Sequence, residues 1–478
     1  MQKISVNFSE ICFRHTLFAG VWRFFVGKGI QGKMDQTYMK DEKILPLITK
    51  MSLPMVISML VNSMYNIVDS FFVAKISEDA MTALSLVFPI QNLINSAMIG
   101  FGIGVNAAIS YFLGAGNKEE AERSASQGMM LSTFHGIFLT VVCIFGMKYF
   151  LRLFTADAVL IGLGTSYSDI AFAFSVVIAW QLVFEKTFQA VGRMTATMIC
   201  MLAGFVTNIV LDPVLIFGLW IFPEMGMRGA ALATGIGQTI SLLCYILFCI
   251  FSPIPIKYRW GYMKPESRIC GRLYAVGIPA ALNMALPSLL ISVLNVILGG
   301  FSQSYVFVLG VYYKLQTFLY LPANGVVQGM RPIIGYNYGA KEFRRVRRIF
   351  YTAMAIVCGI MAVGTVLSLA FSEQLTAIFT ENADTVTKGG EALRILCIGF
   401  IVSSVSVTAT GSLEGLGKGL PSLMISLCRY VLVIIPAALV LSSIAGAVGV
   451  WHAFWLTELV TAVFSYVYLL RIFKRMEQ

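Results

Sequence analysis

The chain has 478 residues, 58% of them hydrophobic and only 12% charged, with 35 Lys and Arg against 24 Asp and Glu for a formal net charge of +11. Soluble domains carry about 25% charged residues, so this composition, with a mean hydropathy of +0.79, excludes a soluble enzyme or binding module. It describes an all-α polytopic membrane protein.

Residues 1–45 come first, with Lys3, Arg14, Arg23, Lys28 and Lys33 set among aromatics and no compact apolar core leading to a small-residue cleavage site. The expectation is a cytoplasmic segment, disordered or lying on the inner membrane surface, or an extension ahead of a start at Met34 or Met39. Twelve apolar runs follow, numbered here as spans 1 to 12: 51–74, 84–112, 127–147, 162–184, 194–218, 229–252, 273–299, 305–336, 349–371, 391–412, 420–442 and 447–470. Each reaches the length of about 20 residues that crosses a bilayer.

Orientation follows from the short loops, because Lys and Arg collect on the cytoplasmic side. The loops 117–123, 185–193, 257–272, 341–348, 414–418 and 471–475 hold 18 basic residues, and the opposite connections hold five: Lys75, Lys148, Arg152, Arg228 and Lys388. Both termini are therefore expected in the cytoplasm of a multi-pass plasma-membrane protein. The positive charge is then read as an inner-face signal toward anionic lipid, with no nucleic-acid partner. Nine cysteines have no metal-ligand or redox spacing, the three histidines are isolated, and no HExxH, GxSxG or Walker loop is present. A membrane enzyme or receptor would need such a constellation or a large external domain, and neither is visible.

The sequence meets itself at a constant shift of 225 residues: Pro54 falls on Pro279, Met59 on Met284, Gly100 on Gly325, Tyr111 on Tyr336 and Gly192 on Gly417. Six spans per copy is an even number, so both copies enter the membrane in the same direction, a parallel repeat related by an axis along the membrane normal. The expected organisation is residues 46–256 as an N-lobe of spans 1–6 and 257–478 as a C-lobe of spans 7–12. A cavity between two such bundles is the architecture of alternating access. Gly100 and Gly104, Gly325 and Gly329, and Gly411 and Gly415 are small residues at helical spacing that permit close helix approach.

An ionisable group inside a span costs about 2.5–3.5 kcal/mol on insertion scales and is a functional candidate by default. Asp69 and Asp212 share a depth near the outer ends of spans 1 and 5, Asn208 lies one turn before Asp212 on the same helix face, and Thr234 of span 6 stands at that level. Pro213 donates nothing to the Ile209 carbonyl and frees one more oxygen. These hard oxygens suit a shared proton or a sodium ion, and both desolvation and mutual repulsion disfavour two full charges there. The second copy has Leu294, Val433, Ala437 and Phe454 at the corresponding places, which assigns the ion site to the N-lobe alone. No metal other than sodium and no cofactor is expected. Arg429 and Glu458, at mid-height in spans 11 and 12, read as a structural ion pair. Asp169 caps a helix start. Met55, Met59, Met64, Tyr65, Met284, Tyr312, Tyr313, Lys314 and Gln316 are the candidate lining of a substrate cavity, since flexible methionines and aromatics suit varied shapes.

"NIVLDPVLIFG" (208–218), "GMRGAALAT" (226–234), "GAGNKEEAERSA" (114–125) and "PIIGYNYGAK" (332–341) resemble the multidrug and toxic compound extrusion (MATE) family over residues 45–472. The resemblance implies a twelve-helix, two-lobed antiporter that expels lipophilic, often cationic, drugs or toxic compounds in exchange for protons or sodium; separately, a monomer is expected. By motif its N-lobe cation site falls on Asp69, Asn208, Asp212 and Thr234, and Pro54 matches the proline at which span 1 bends. Branches with an acid in span 7 and another in span 10 differ from "PAALNMALPSLL" and "IGFIVSSVSVT" here. A flippase for lipid-linked saccharides in the same superfamily is the second reading; it calls for a more basic cavity, and only Lys314 speaks for it.

Overall fold

A computed structural model describes residues 36–477. Among these the structure is helical throughout, with no strand. Spans 1 to 3 are the helices Ile44–Ala74, Glu78–Gly114 and Lys118–Arg152; spans 5 to 9 are Met194–Phe217, Met227–Phe251, Ser267–Gly299, Gln303–Gly339 and Phe343–Ala370. Spans 4 and 10 are each two helices, Ala158–Ala173 with Ser175–Ala190 bent by 47° and Ala383–Leu396 with Ile398–Gly415 bent by 48°. Spans 11 and 12 share Gly419–Glu477, where the helix breaks at Ala445 and at Gly446, whose φ of 61° only glycine takes without strain. Gly449 there packs on the backbone of Leu441, as a chain reversal requires.

Local chemistry sets the helix starts. The side chains of Ser77, Asn117, Asp157 and Asn382 accept the orphan backbone N–H groups of the helices they precede, and Glu119 and Glu120 add negative charge to the first turn of span 3. Span 5 closes at Gly218 in the left-handed region, φ 68°. Pro54 sits inside an unbroken span 1. Span 8 is less apolar than its neighbours, since Lys314, Gln316, Asn324, Gln328, Arg331 and Asn337 interrupt it.

The two bundles meet through span 1 on span 8 and span 2 on span 7, pairings that the 225-residue shift exchanges. The same shift maps one contact onto another. Gly100 lies against the backbone of Ala281 and Gly325 against that of Val56; Gly114 lies against Tyr336 and Gly339 against Tyr111. A Cβ on Gly325 would come within 2.9 Å of the Val56 Cα and N, so only glycine allows this approach. All of these contacts lie in the halves of the spans nearer the termini. The bundles are thus in close backbone contact on the terminal side.

Residues 36–43, expected as disordered or surface-bound, instead wedge between the bundles on the terminal face; residues 1–35 of that expected segment lie outside the described residues. The Tyr38 hydroxyl donates to the Gly192 carbonyl of the first bundle at 3.0 Å. Asn337 of the second bundle donates to the Met39 carbonyl at 3.0 Å, and Met39 is fully buried. The segment could be tied down because its few apolar side chains find the seam that the glycines leave.

Candidate functional site

A cavity of about 390 Å³ lies within the first bundle, walled by spans 1, 2, 4, 5 and 6 and closed by Met284 of span 7 and Gln328 of span 8. Its lining is rich in amides, among them Asn62, Asn66, Gln91, Asn95, Gln181 and Gln238, with Tyr65, Tyr167, Phe88 and Phe205 as the aromatic surface. Met55, Met59, Tyr65 and Met284 line it.

The other candidates for the lining stand elsewhere. Met64 is 61% exposed on the outer surface of span 1. Tyr312 and Tyr313 pack against Phe454 inside the second bundle, with ring centroids 5.4 and 6.5 Å away. Lys314 is exposed, its Nζ 5.6 Å from the Phe379 ring, and Gln316 is likewise not part of the wall. The physical reason is the asymmetry of the repeat. Where the first bundle keeps polar groups and open space, the second fills the equivalent volume with Leu294, Phe400, Phe454 and Tyr312, all buried in one core.

Asp69, Asn208 and Thr234 border the cavity, and Asp212 lies directly behind them, fully buried. Asn208 and Asp212, one turn apart on span 5, hydrogen bond to each other. With the Asn208 amide turned so that its nitrogen faces the carboxylate, it donates to Asp212 Oδ2 at 3.0 Å, and its oxygen accepts from the Thr234 hydroxyl at 3.2 Å and the Thr234 backbone N–H at 3.1 Å. That orientation gives both the amide nitrogen and the amide oxygen a partner, as a buried amide requires. Tyr65 stacks on Phe205 at 5.3 Å and hydrogen bonds to Thr234. Asp69 is close enough to Asp212 for their charges to interact. It makes no hydrogen bond with its buried Oδ1.

That orphaned oxygen decides what the cluster can do. A buried acceptor without a donor costs about 1–3 kcal/mol, more when charged, and a proton or a small hard cation would supply the missing partner. The oxygens of Asp69, Asp212, Asn208, Thr234 and Tyr65 form a donor set of that hard kind.

Residues 54–214 and 279–439 each match the MatE family, two copies that begin and end at the same 225-residue shift as the internal repeat. The chain belongs to the MatE family. It is 27% identical over 437 residues to the multidrug export protein MepA of Staphylococcus saprophyticus, which covers 91% of this chain and 96% of that one. MepA of Staphylococcus haemolyticus is 26% identical over 426 residues, 89% of this chain and 93% of the relative. A solved outward-facing multidrug resistance MATE family transporter of the MOP superfamily superimposes with a TM-score of 0.87 at 22% identity, covering 94% of this chain and 100% of the other. A MOP superfamily transporter from Pyrococcus furiosus superimposes with a TM-score of 0.86, also at 22% identity and over 94% and 100% of the two chains. At that identity the likeness is one of fold.

Among the described residues, this MatE chain also carries buried ionic groups that the sequence pattern alone did not single out. Loop 185–193 of the expected topology is largely helix, because Ser175–Ala190 runs on to Ala190, and Glu185 pairs with Lys186 at 2.7 Å at the floor of the cavity. The signal was present as a polar stripe, Gln181, Glu185 and Gln189, at one-turn spacing between phenylalanines. Glu414 lies just past the expected end of span 10. It pairs with Arg331 at 2.6 Å and accepts from Asn283 at 3.1 Å, a cluster on the terminal side of the second bundle. Arg429 and Glu458 meet at 2.6 Å between spans 11 and 12, next to the Tyr320 hydroxyl. A π-helical turn, Cys428–Leu432, presents the arginine there.

Proposed function

We propose that the chain is a secondary active multidrug antiporter that exports amphiphilic, often cationic, compounds from the cell in exchange for protons or sodium, by rocking its two bundles against each other. The observation that carries the reading is the buried Asp69 Oδ1, without a hydrogen-bond partner, on a residue that lines the cavity of the first bundle. The relatives named multidrug export proteins support the direction of transport. With the basic terminal face in the cytoplasm of a plasma-membrane protein, the described conformation faces outward.

In this reading the coupling ion and the drug compete. Asp69 lines the cavity and lies close enough to Asp212 for their charges to interact, so a cation taken up there cancels the charge that would hold a cationic drug. Burial amplifies that competition, because the same charges interact more strongly away from water. Neutralising Asp69 also removes the reason for span 1 to present it to the cavity, and Pro54, with no N–H to bond the Lys50 carbonyl, is the place at which span 1 yields. One unit charge crossing 100 mV is worth about 2.3 kcal/mol, which supports a gradient of roughly fiftyfold for a neutral drug.

The test is export of a dye from proteoliposomes under an imposed pH or sodium gradient. Asp69→Asn and Asp212→Asn are expected to abolish gradient-driven accumulation. Transport by both variants at the parental rate would reject the coupling role.

A further inference from the structure

The floor of the cavity is built around a second ionic group that the coupling cycle does not use. Glu185 and Lys186 both line the cavity, yet their side chains are only 6% and 5% exposed. Lys186 Nζ contacts Glu185 Oε1 at 2.7 Å and Gln189 Oε1 at 3.3 Å. Glu185 Oε1 also accepts from Gln189 at 3.0 Å, and its Oε2 accepts from Gln181 at 3.3 Å. An ammonium has three donors and a carboxylate about four acceptor sites. Protein partners account for two of the former and three of the latter, which leaves one bonding position on each charge of a pair that lines the cavity.

The pair is held in place from span 2. A Cβ on Gly102 would come within 2.8 Å of Lys186 Cγ, so the glycine makes the groove in which the lysine stem lies. The Asn106 amide donates to the Lys186 carbonyl at 3.0 Å. Two buried charges stabilise a bundle no better than apolar residues of similar volume would, and here they are placed at the one wall where a solute can reach them.

Charge complementarity identifies the solute. With Asp69 the cavity wall offers two carboxylates and one ammonium. A simple cation uses the carboxylates and leaves Lys186 without a new partner; a solute with both signs satisfies both ends. We propose that Glu185 and Lys186 form a recognition subsite for zwitterionic amphiphiles, which place a carboxylate on Lys186 and a cationic nitrogen toward Glu185, while Gln181 and Gln238 hydrogen bond the polar scaffold. The inference rests on the export reading and narrows its substrate class.

Rhodamine 110 is a zwitterion with a free carboxylate, and rhodamine 123 is its methyl ester, a cation. Fluorescence anisotropy on the purified full-length protein gives both affinities. The wild type is expected to bind rhodamine 110 at least as tightly as the ester. Lys186→Met should weaken rhodamine 110 by about tenfold or more while leaving the ester unchanged or tighter. Because that variant strands Glu185, Lys186→Arg and the double change Glu185→Gln with Lys186→Met are measured beside it, with thermal melting as the folding control. The first should keep the preference for the zwitterion and the second should lose it. A wild type that prefers the ester tenfold or binds neither dye, or variants that shift both dyes equally, would overturn the subsite. Export of rhodamine 123 by wild-type proteoliposomes separates the two readings: with export intact only the subsite falls, and without it the export reading falls as well.

Discussion

Substituting Gly325 with alanine tests how the bundles seal. The added Cβ would lie 2.5 Å from Val56 Cγ2 and 2.9 Å from both Val56 Cα and N. Two of these three atoms are backbone, so no rotamer change relieves the contact. Overpacking of this kind costs about 1–3 kcal/mol, and the cost falls only on the conformation in which the terminal face is closed. The ratio of open to closed forms should therefore rise roughly five- to 150-fold. Spin labels at Lys118 and Arg344, one on each bundle at the terminal face, report that ratio by pulsed dipolar spectroscopy once accessible native cysteines are removed. Gly310→Ala on the same span, where a Cβ meets open space, should leave the distances unchanged. A folded Gly325→Ala protein with wild-type distances would show that the bundles do not part along this seam.

Other changes probe separate parts. Glu458→Gln should lower stability by about 3–5 kcal/mol, because it leaves Arg429 buried without a counter-charge, while Arg429→Leu combined with Glu458→Leu should recover most of the loss; unfolding titrations in detergent decide it. Thr234→Phe, which copies Phe454 of the other bundle, should fill the ion chamber and stop gradient-driven export in a protein that still melts cooperatively. Tyr38→Phe removes the 3.0 Å hydrogen bond to Gly192 and should favour the parted terminal face by about 0.5–1.5 kcal/mol, read with the same pair of labels.

Twelve spans and the repeat were legible because length and hydropathy carry most of the signal in a membrane protein, and because duplication leaves matching residues at a fixed shift. Asp69, Asn208, Asp212 and Thr234 could be read from depth and helical spacing, since a polar residue in an apolar run needs a partner. The position of the cavity was not legible in the same way. Tyr312, Tyr313, Lys314 and Gln316 sit on the expected spans, but which bundle stays hollow depends on how Phe400 and Phe454 fill the other one. Glu185 and Lys186 were taken for loop residues, because adjacent opposite charges after an apolar run look like the end of a span. Only the packing against Gly102 and the surrounding glutamines shows them to be inside it.

Competition between ion and drug at the Asp69 cluster is tested most directly by rhodamine 123 binding to purified protein, titrated over sodium concentration and over pH. The dissociation constant should rise with sodium or with acidity in the wild type and be insensitive to both in the Asp69→Asn/Asp212→Asn double variant. A wild-type constant independent of both ions, or an ion dependence that survives in the double variant, would contradict the account.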